Sequence, residues 1–321
     1  MYKPTMIFLM WLTLITACSD NSGPSKSYQH ATGNVLNATI SDHGLYSLVA
    51  SGNHATGLWD LKQNALLYAW KNTPQNPVGI IATAISEPAA VALTAEKNNL
   101  VLWDMKSGKA LNFWQVRGQI QAIAIDQAGH YALLGYTDGM AEYIDLHLGQ
   151  SSRRFHHADQ INDVTLSTSG RYALTGSRDK TAILWDIQTG EAIYTWRHNT
   201  SINKVIISPL NHYALTAASH DSVKLWDIKT GKLIHEIKQQ DRTVTAMKFS
   251  PSEKYFVVAT SPQTITVWGT QRGDAVKSWQ VPKDEPSTPT LTMINAIGFN
   301  SRENQIWTEA SNGKASMWKF P

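Results

Sequence analysis

The chain has 321 residues, 42% of them apolar and 17% charged, with a formal net charge of +3 and an isoelectric point of about 8.8. That length and apolar share are enough to bury one large core, which excludes an extended disordered chain or a disulfide-stapled mini-domain. The mildly basic charge gathers into no Lys/Arg stripe with interleaved aromatics, which speaks against a nucleic-acid partner, and the lone Cys18 excludes an internal disulfide.

Lys3 supplies a positive start, Met6 to Ala17 (MIFLMWLTLITA) is a continuous apolar run, and Cys18 follows at once. This run is shorter than the roughly 20 residues that span a bilayer and matches the core of a signal peptide. Leu14-Ile15-Thr16-Ala17-Cys18 resembles a bacterial lipobox; the alternative is a secreted protein with a chance cysteine. The resemblance implies a signal peptide over residues 1–17, lipid attachment at Cys18, and, with Ser19 rather than Asp next, an outer-membrane anchor facing the periplasm. Residues 18–26 then read as a flexible tether, since Ser19 to Lys26 (SDNSGPSK) is polar and rich in turn formers. Fully extended, eight such residues reach about 26–29 Å.

From residue 27 to residue 321 one pattern recurs. An apolar run ends in Trp59-Asp60, Trp103-Asp104, Trp185-Asp186 and Trp226-Asp227, and in weaker form in Ile144-Asp145, Trp268-Gly269 and Trp318-Lys319. Successive members lie 44, 41, 41, 41, 42 and 50 residues apart. A period of about 40–45 accommodates four short strands per unit and points to a propeller. Eighteen residues before these positions stand the turn formers Ser41, Asp126, Ser167, Ser208, Ser250 and Asn300, with Ser86 one place late in the second repeat. Each is preceded by a strand-length segment with apolar residues six and one places earlier, as in Ile161/Leu166 and Ile202/Ile207. Eleven residues after the Trp position comes a second large side chain: Trp70, Trp114, Phe155, Trp196, Ile237 or Trp279. Ten of the twelve tryptophans occupy these two registers, so they read as packing between neighbouring units rather than as a ligand platform.

These registers resemble those of WD40-repeat β-propellers. The resemblance implies an all-β, seven-bladed ring and, within a blade, a structural tetrad of His, Ser or Thr, Asp and Trp. In the fourth repeat these are His157, Thr175 or Ser177, Asp179 and Trp185. The fifth repeat keeps His198 and Trp226 but has His220 where the Asp is expected, with Asp221 one place late; the third has Asp138 but Ile144 in place of Trp. In the fourth repeat the strands are expected over Asn162 to Ser167, Tyr172 to Ser177, Thr181 to Asp186 and Ala192 to Arg197. The last repeat ends after its third strand, so its outer strand is expected from Ser27 to Thr32, with Tyr28 in the place of Trp196.

Function in such a ring resides in its loops. The second-to-third-strand turns and the connections between repeats share one rim, where Arg117, Tyr136, Arg178, His220 and Arg242 are the candidate partner-binding residues. Two connections are long, Lys71 to Pro77 and Val281 to Thr292. The opposite rim carries tight turns such as Ser107-Gly108, Thr189-Gly190 and Thr230-Gly231. The sequence contains no G-x-S-x-G, H-E-x-x-H or phosphate-cradling glycine loop. His156, His157 and Asp159, and the carboxylates Asp159, Asp163 and Asp179, read as tetrad, turn and cap residues, so no catalytic residue, cofactor or metal is assigned. The expected function is a non-enzymatic, lipid-anchored interaction scaffold of the cell envelope that binds a partner protein or complex. A hydrolase, lyase or glycan-binding protein using the central channel, and an accessory subunit of outer-membrane protein assembly, stay open as alternatives.

Overall fold

The computed structural model describes residues 23–52, 55–72, 79–239, 242–282 and 292–320. The expected signal peptide, Cys18 and the tether as far as residue 22 lie outside the described residues, as do most of the two long connections.

Among the described residues there are 28 strands and no helix. The first is β1 (Lys26–Gln29). Blade one contains β2 (Val35–Ile40), β3 (Tyr46–Ser51), β4 (Thr56–Asp60) and β5 (Ala65–Trp70). Blade two contains β6 (Ala82–Ser86), β7 (Val91–Ala95), β8 (Asn99–Asp104) and β9 (Ala110–Gln115). Blade three follows with β10 (Ile120–Ile125), β11 (Tyr131–Tyr136), β12 (Met140–Asp145) and β13 (Gln150–His156). Blade four has β14 (Ile161–Leu166), β15 (Tyr172–Ser177), β16 (Thr181–Asp186) and β17 (Ala192–Arg197). Blade five has β18 (Ile202–Ile207), β19 (Tyr213–Ala218), β20 (Ser222–Asp227) and β21 (Leu233–Lys238). Blade six has β22 (Thr243–Phe249), β23 (Tyr255–Ser261), β24 (Thr264–Gly269) and β25 (Ala275–Gln280). Blade seven takes β26 (Ile294–Phe299), β27 (Gln305–Ala310) and β28 (Lys314–Lys319) from the end of the chain and β1 from its beginning.

The strands form seven antiparallel four-stranded sheets among the described residues, a seven-bladed propeller. Residues 27–32 were expected to supply the missing outer strand; the strand is Lys26–Gln29, so Lys26 is no longer tether. Tyr28 faces Ala315 as Trp196 faces Ala182, which gives Tyr28 the register of the outer-strand aromatic.

Burial follows position in the blade. The second strand is sandwiched between neighbouring blades and is buried at almost every residue, as in β15, whereas the outer β17 exposes most of its length. Neighbours approach so closely at the second strand that a Cβ on Gly176 would meet Ile202 at 2.6 Å and Val205 at 2.7 Å. The blades are joined by aromatic contacts: Trp70 stacks on Trp103 at 4.9 Å and Trp196 on Trp226 at 5.0 Å, and Phe155 lies tilted against Trp185 at 5.0 Å. Each such pair contributes about 0.5–1.5 kcal/mol beyond its buried area. The outer indoles also donate across the seam, Trp70 to the Gly108 carbonyl at 3.0 Å and Trp196 to that of Gly231 at 3.1 Å.

The recurring polar residues make the turns. Ser167 Oγ accepts the Tyr172 amide, Ser208 Oγ that of Tyr213, and Asp126 Oδ1 those of His130 and Tyr131, closing the first-to-second-strand turns. The Asp after Trp caps the third-to-fourth-strand turn: Asp104 accepts the Lys106 amide, Asp186 those of Gln188 and Thr189, and Asp227 that of Thr230. Gly108, with φ +71°, completes one such turn where the Tyr68 ring leaves no room for a Cβ.

Candidate functional site: the loop rim and central channel

In an alternating four-stranded blade the second-to-third-strand turns and the interblade connections emerge at the same end. Backbone bonds tie the two sets together: Thr137 N–H donates to Gln119 O, Arg178 N–H to Gln160 O and Ser219 N–H to Ser201 O. Arg117 lies between β9 and β10, Arg178 between β15 and β16, His220 between β19 and β20, and Arg242 between β21 and β22; all are exposed on this rim. Arg178 Nε stands 3.9 Å from Asp159 Oδ2 on an adjoining loop. Tyr136 does not share that surface. It ends β11, a sandwiched second strand, and is fully buried, with its hydroxyl donating to Glu142 Oε2 at 3.0 Å. Burial raises the pKa of this phenol, with the Glu142 carboxylate adding to the effect. Its place at the end of a strand adjoining a rim turn gave it the look of a loop residue; it is a core residue.

Beneath the rim, blade four holds a continuous polar chain. Asp179 Oδ2 is 2.9 Å from His157 Nδ1, His157 Nε2 is 2.7 Å from Thr175 Oγ1, and the Trp185 indole donates to Thr175 Oγ1 at 2.9 Å. Of the two hydroxyls in question, Thr175 is the link. Ser177 Oγ instead donates to the carbonyls of Asp159 and Gln160 and accepts the Asp179 amide, pinning the turn. Burial opposes ionisation of Asp179, but the bonds it accepts from Thr181, the Ala158 amide and His157 together hold its carboxyl below the usual range. Burial also lowers the His157 pKa, against the pull of Asp179.

Blade five keeps the His–Thr–Trp part of the chain, while the acid only approaches the histidine, whose Nδ1 is buried without a hydrogen-bond partner. His220 takes up a left-handed conformation at φ 55°, and Asp221, one residue later, swings its Oδ2 to 3.5 Å from His198 Nδ1. His198 Nε2 lies 2.7 Å from Thr216 Oγ1, which accepts the Trp226 indole at 2.8 Å. Burial, helped by nearby Lys224, pushes the His198 pKa down to about 4. Blade two substitutes an amide: Trp103 donates to Thr94 Oγ1, which donates to Asn72 Oδ1.

The innermost strands enclose a channel cavity of about 520 Å³. Its charged side chains are engaged. Lys248 Nζ donates to Asp42 Oδ1 at 2.6 Å, and that ammonium is the main reason the Asp42 carboxyl is held below its usual range. Asp163 accepts the Val205 amide at 2.9 Å and lies 4.0 Å from Lys204 Nζ; burial raises its pKa against both. At the other rim His43 Nδ1 is 2.9 Å from Glu87 Oε1. These lysines carried no recognisable motif in the sequence. A further ring the spacing did not announce is formed by bulge residues at the start of the inner strands. There the Asn162, Asn203 and Asn295 amides donate to the Ile202, Val244 and Val35 carbonyls of the next blade.

Residues 149–186, 190–227 and 231–269 each match the family model of the WD domain, G-beta repeat. The chain is a seven-bladed β-propeller in which these three segments are WD40 repeats. Each matched segment begins with or just before the outer strand of one blade and ends with the third strand of the next, so the WD40 repeat is offset from the blade by one strand. That offset leaves the last blade one strand short, and β1 supplies it. No curated protein matches the chain.

Proposed function

We propose that this propeller is a non-enzymatic interaction scaffold, held at the bacterial cell envelope by a lipid on Cys18, that captures a partner protein on its loop rim. The observation that carries the reading is the WD40 ring itself, since propellers of this kind generally bind protein partners, together with the exposed Arg117, Arg178, His220 and Arg242 on one rim. A closed ring presents such side chains on a rigid frame, so little conformational entropy is lost when a partner docks. The channel carboxylates support the same reading, because Asp42 and Asp163 are each held by a lysine or a backbone amide. The lipobox-like sequence at Leu14 to Cys18 supports a lipid anchor, and Ser19 rather than Asp after it supports the outer membrane, facing the periplasm.

The test is in-cell crosslinking from a photoreactive residue at position 178, with a control at position 189 on the opposite rim, followed by mass spectrometry of membrane fractions. A discrete protein adduct from position 178 alone is expected. No adduct from either site, with the protein intact, would overturn the scaffold reading in favour of a small-molecule or glycan ligand in the channel. Cys18→Ala should release the chain from the membrane fraction; retention would overturn the lipid anchor.

A further inference from the structure

Position along the inner strand decides which side chains meet in the channel. Six inner strands carry a bulge after their first apolar residue, and the residue beyond it is Asn37, Ala122, Asp163, Lys204, Ala246 or Ala296. Alanine in three of these blades shows that the ring closes without a charge at this place. The charges on Asp163 and Lys204, in neighbouring blades, are therefore not required by the fold. Neither side chain is sealed off: they are 19% and 36% exposed.

The two charges do not close on one another. Asp163 Oδ2 accepts the Val205 amide at 2.9 Å, whereas Oδ1 stands 4.0 Å from Lys204 Nζ, outside hydrogen-bond reach. Burial outweighs the ammonium at that distance and raises the Asp163 pKa. Across the channel, polar groups satisfy one another: Lys248 Nζ meets Asp42 Oδ1 at 2.6 Å, and Thr83 Oγ1 donates to Asn37 Oδ1 at 2.7 Å. On the wall of blades three to five, the Thr165 hydroxyl and the Gln121 amide line the cavity and make no hydrogen bond among the described residues. Gln121 holds the bulge position from which Asn162 reaches the next blade, yet it is exposed. One wall thus presents a carboxylate oxygen, an ammonium, a hydroxyl and an amide to the channel.

We propose that this wall binds a free α-amino acid, its ammonium on Asp163 Oδ1 and its carboxylate on Lys204 Nζ, with Thr165 and Gln121 supplying further hydrogen bonds. One carbon separates the two charges of such a zwitterion, so both reach partners 4.0 Å apart at the same time. The charges of protein and ligand then cancel in pairs, whereas a lone anion or cation would leave Asp163 or Lys204 uncompensated in a cavity screened from bulk water. Charge-assisted bonds are about twice as strong as neutral ones, which favours a zwitterion over a neutral polyol at this pair. Among the described residues lining the cavity, the only phenyl, phenol or indole ring is that of Phe249, which is 2% exposed, so a sugar finds no stacking face. The cavity of about 520 Å³ falls within the roughly 300–1,000 Å³ of small-molecule sites and leaves room for the ligand's side chain. Occupancy of the channel does not depend on the rim arginines.

Isothermal titration calorimetry of the purified full chain with each common L-amino acid, up to millimolar concentration, tests the site, with glucose as the neutral polyol. At least one amino acid should bind saturably, one per chain. Its N-acetyl and carboxamide derivatives, each lacking one charge, should bind at least about tenfold more weakly. Asp163→Asn, which keeps an acceptor for the Val205 amide, and Lys204→Gln should each weaken binding about tenfold or more without changing the melting curve of the free protein. The derivatives keep the test readable if a variant fails to fold. No binding by any amino acid, binding of glucose in its place, equal binding of the derivatives, or unaltered affinity in both variants would overturn the proposal. Arg178→Ala should leave this titration unchanged while weakening partner capture, so failure of the channel site and failure of the scaffold reading are told apart.

Discussion

His30 Nδ1 lies 2.8 Å from Glu309 Oε1, a contact between residues 279 apart in sequence with both side chains fully buried. Glu309 occupies the second-strand position that Ala50, Gly135, Gly176, Ala217 and Ala259 hold in other blades, where the next blade presses too closely for a large side chain. At the closing seam the carboxyl fits because His30, two residues after Tyr28, meets it and stacks on Trp59 at 4.2 Å. The seam made by strands from the two chain ends thus has a polar latch where the other second strands have a small residue.

Glu309→Ala and His30→Ala should each destabilise the ring by about 1–3 kcal/mol, since each leaves a buried polar group without its partner. The double variant should cost less than the two losses added. Deleting residues 25–33, which removes the whole of β1, should lower the melting temperature sharply. Thermal melting checks all four, and a deletion that melts like the parent would refute closure by β1.

Thr175 links two buried groups, the Trp185 indole and His157 Nε2, so Thr175→Val should cost about 2–4 kcal/mol. Thr308 accepts the Trp318 indole at 3.0 Å, and its hydroxyl otherwise lies 3.4 Å from the Ser316 carbonyl, so Thr308→Val should cost about 1–2 kcal/mol. Urea unfolding of the two variants compares them directly. Equal losses would mean that the His157–Asp179 arm adds no stability.

Acid should weaken the fold before it titrates most carboxylates. His198 has a pKa of about 4 in the folded chain against an ordinary 6.5. The unfolded chain therefore takes up this proton first as pH falls, and stability declines from about pH 6.5 until the folded-state value is reached. The loss from this residue is on the order of 3 kcal/mol. His157 shifts in the same direction and adds to it. Denaturant unfolding at pH 7.5, 6 and 4.5 should show the decline, and His198→Gln should reduce its slope; an unchanged slope would assign the decline to other groups.

Tyr136→Ala should cost about 3–5 kcal/mol, the range for truncating a buried aromatic, and should reduce partner capture only through lost folded protein. Arg178→Ala should leave melting unchanged and weaken capture, because its side chain is exposed with one distant ion-pair partner. Melting and capture measured on the same preparations separate the two cases.

Much of the architecture was legible because it is written in local, periodic chemistry. Ser167, Asp186 and Gly190 act within a few residues of their own positions, so their spacing announces the turns without knowledge of the fold. The tetrad was legible as residue types, yet the choice of Thr175 over Ser177 required strand register: both are buried, and only Thr175 lies within reach of both His157 and Trp185. Tyr136 was misplaced because a strand end beside a loop looks the same in sequence whether its side chain faces solvent or the neighbouring blade. Asp221 shows the converse: one place late in sequence, it still approaches His198 because His220 absorbs the extra residue in a left-handed turn.

The sequence by itself determined the number of strands per unit, the number of blades and the source of the closing strand. Those follow from period, turn chemistry and the one-strand offset of the last repeat, all of them relations along the chain. Only the tertiary structure decided that Glu309 meets His30, that Lys248 holds Asp42 inside the channel, and that the Trp268 indole nitrogen and the Thr260 hydroxyl are buried without a hydrogen-bond partner. These depend on atoms of different blades approaching to a few ångströms, and neither the repeat spacing nor residue type reports such a distance.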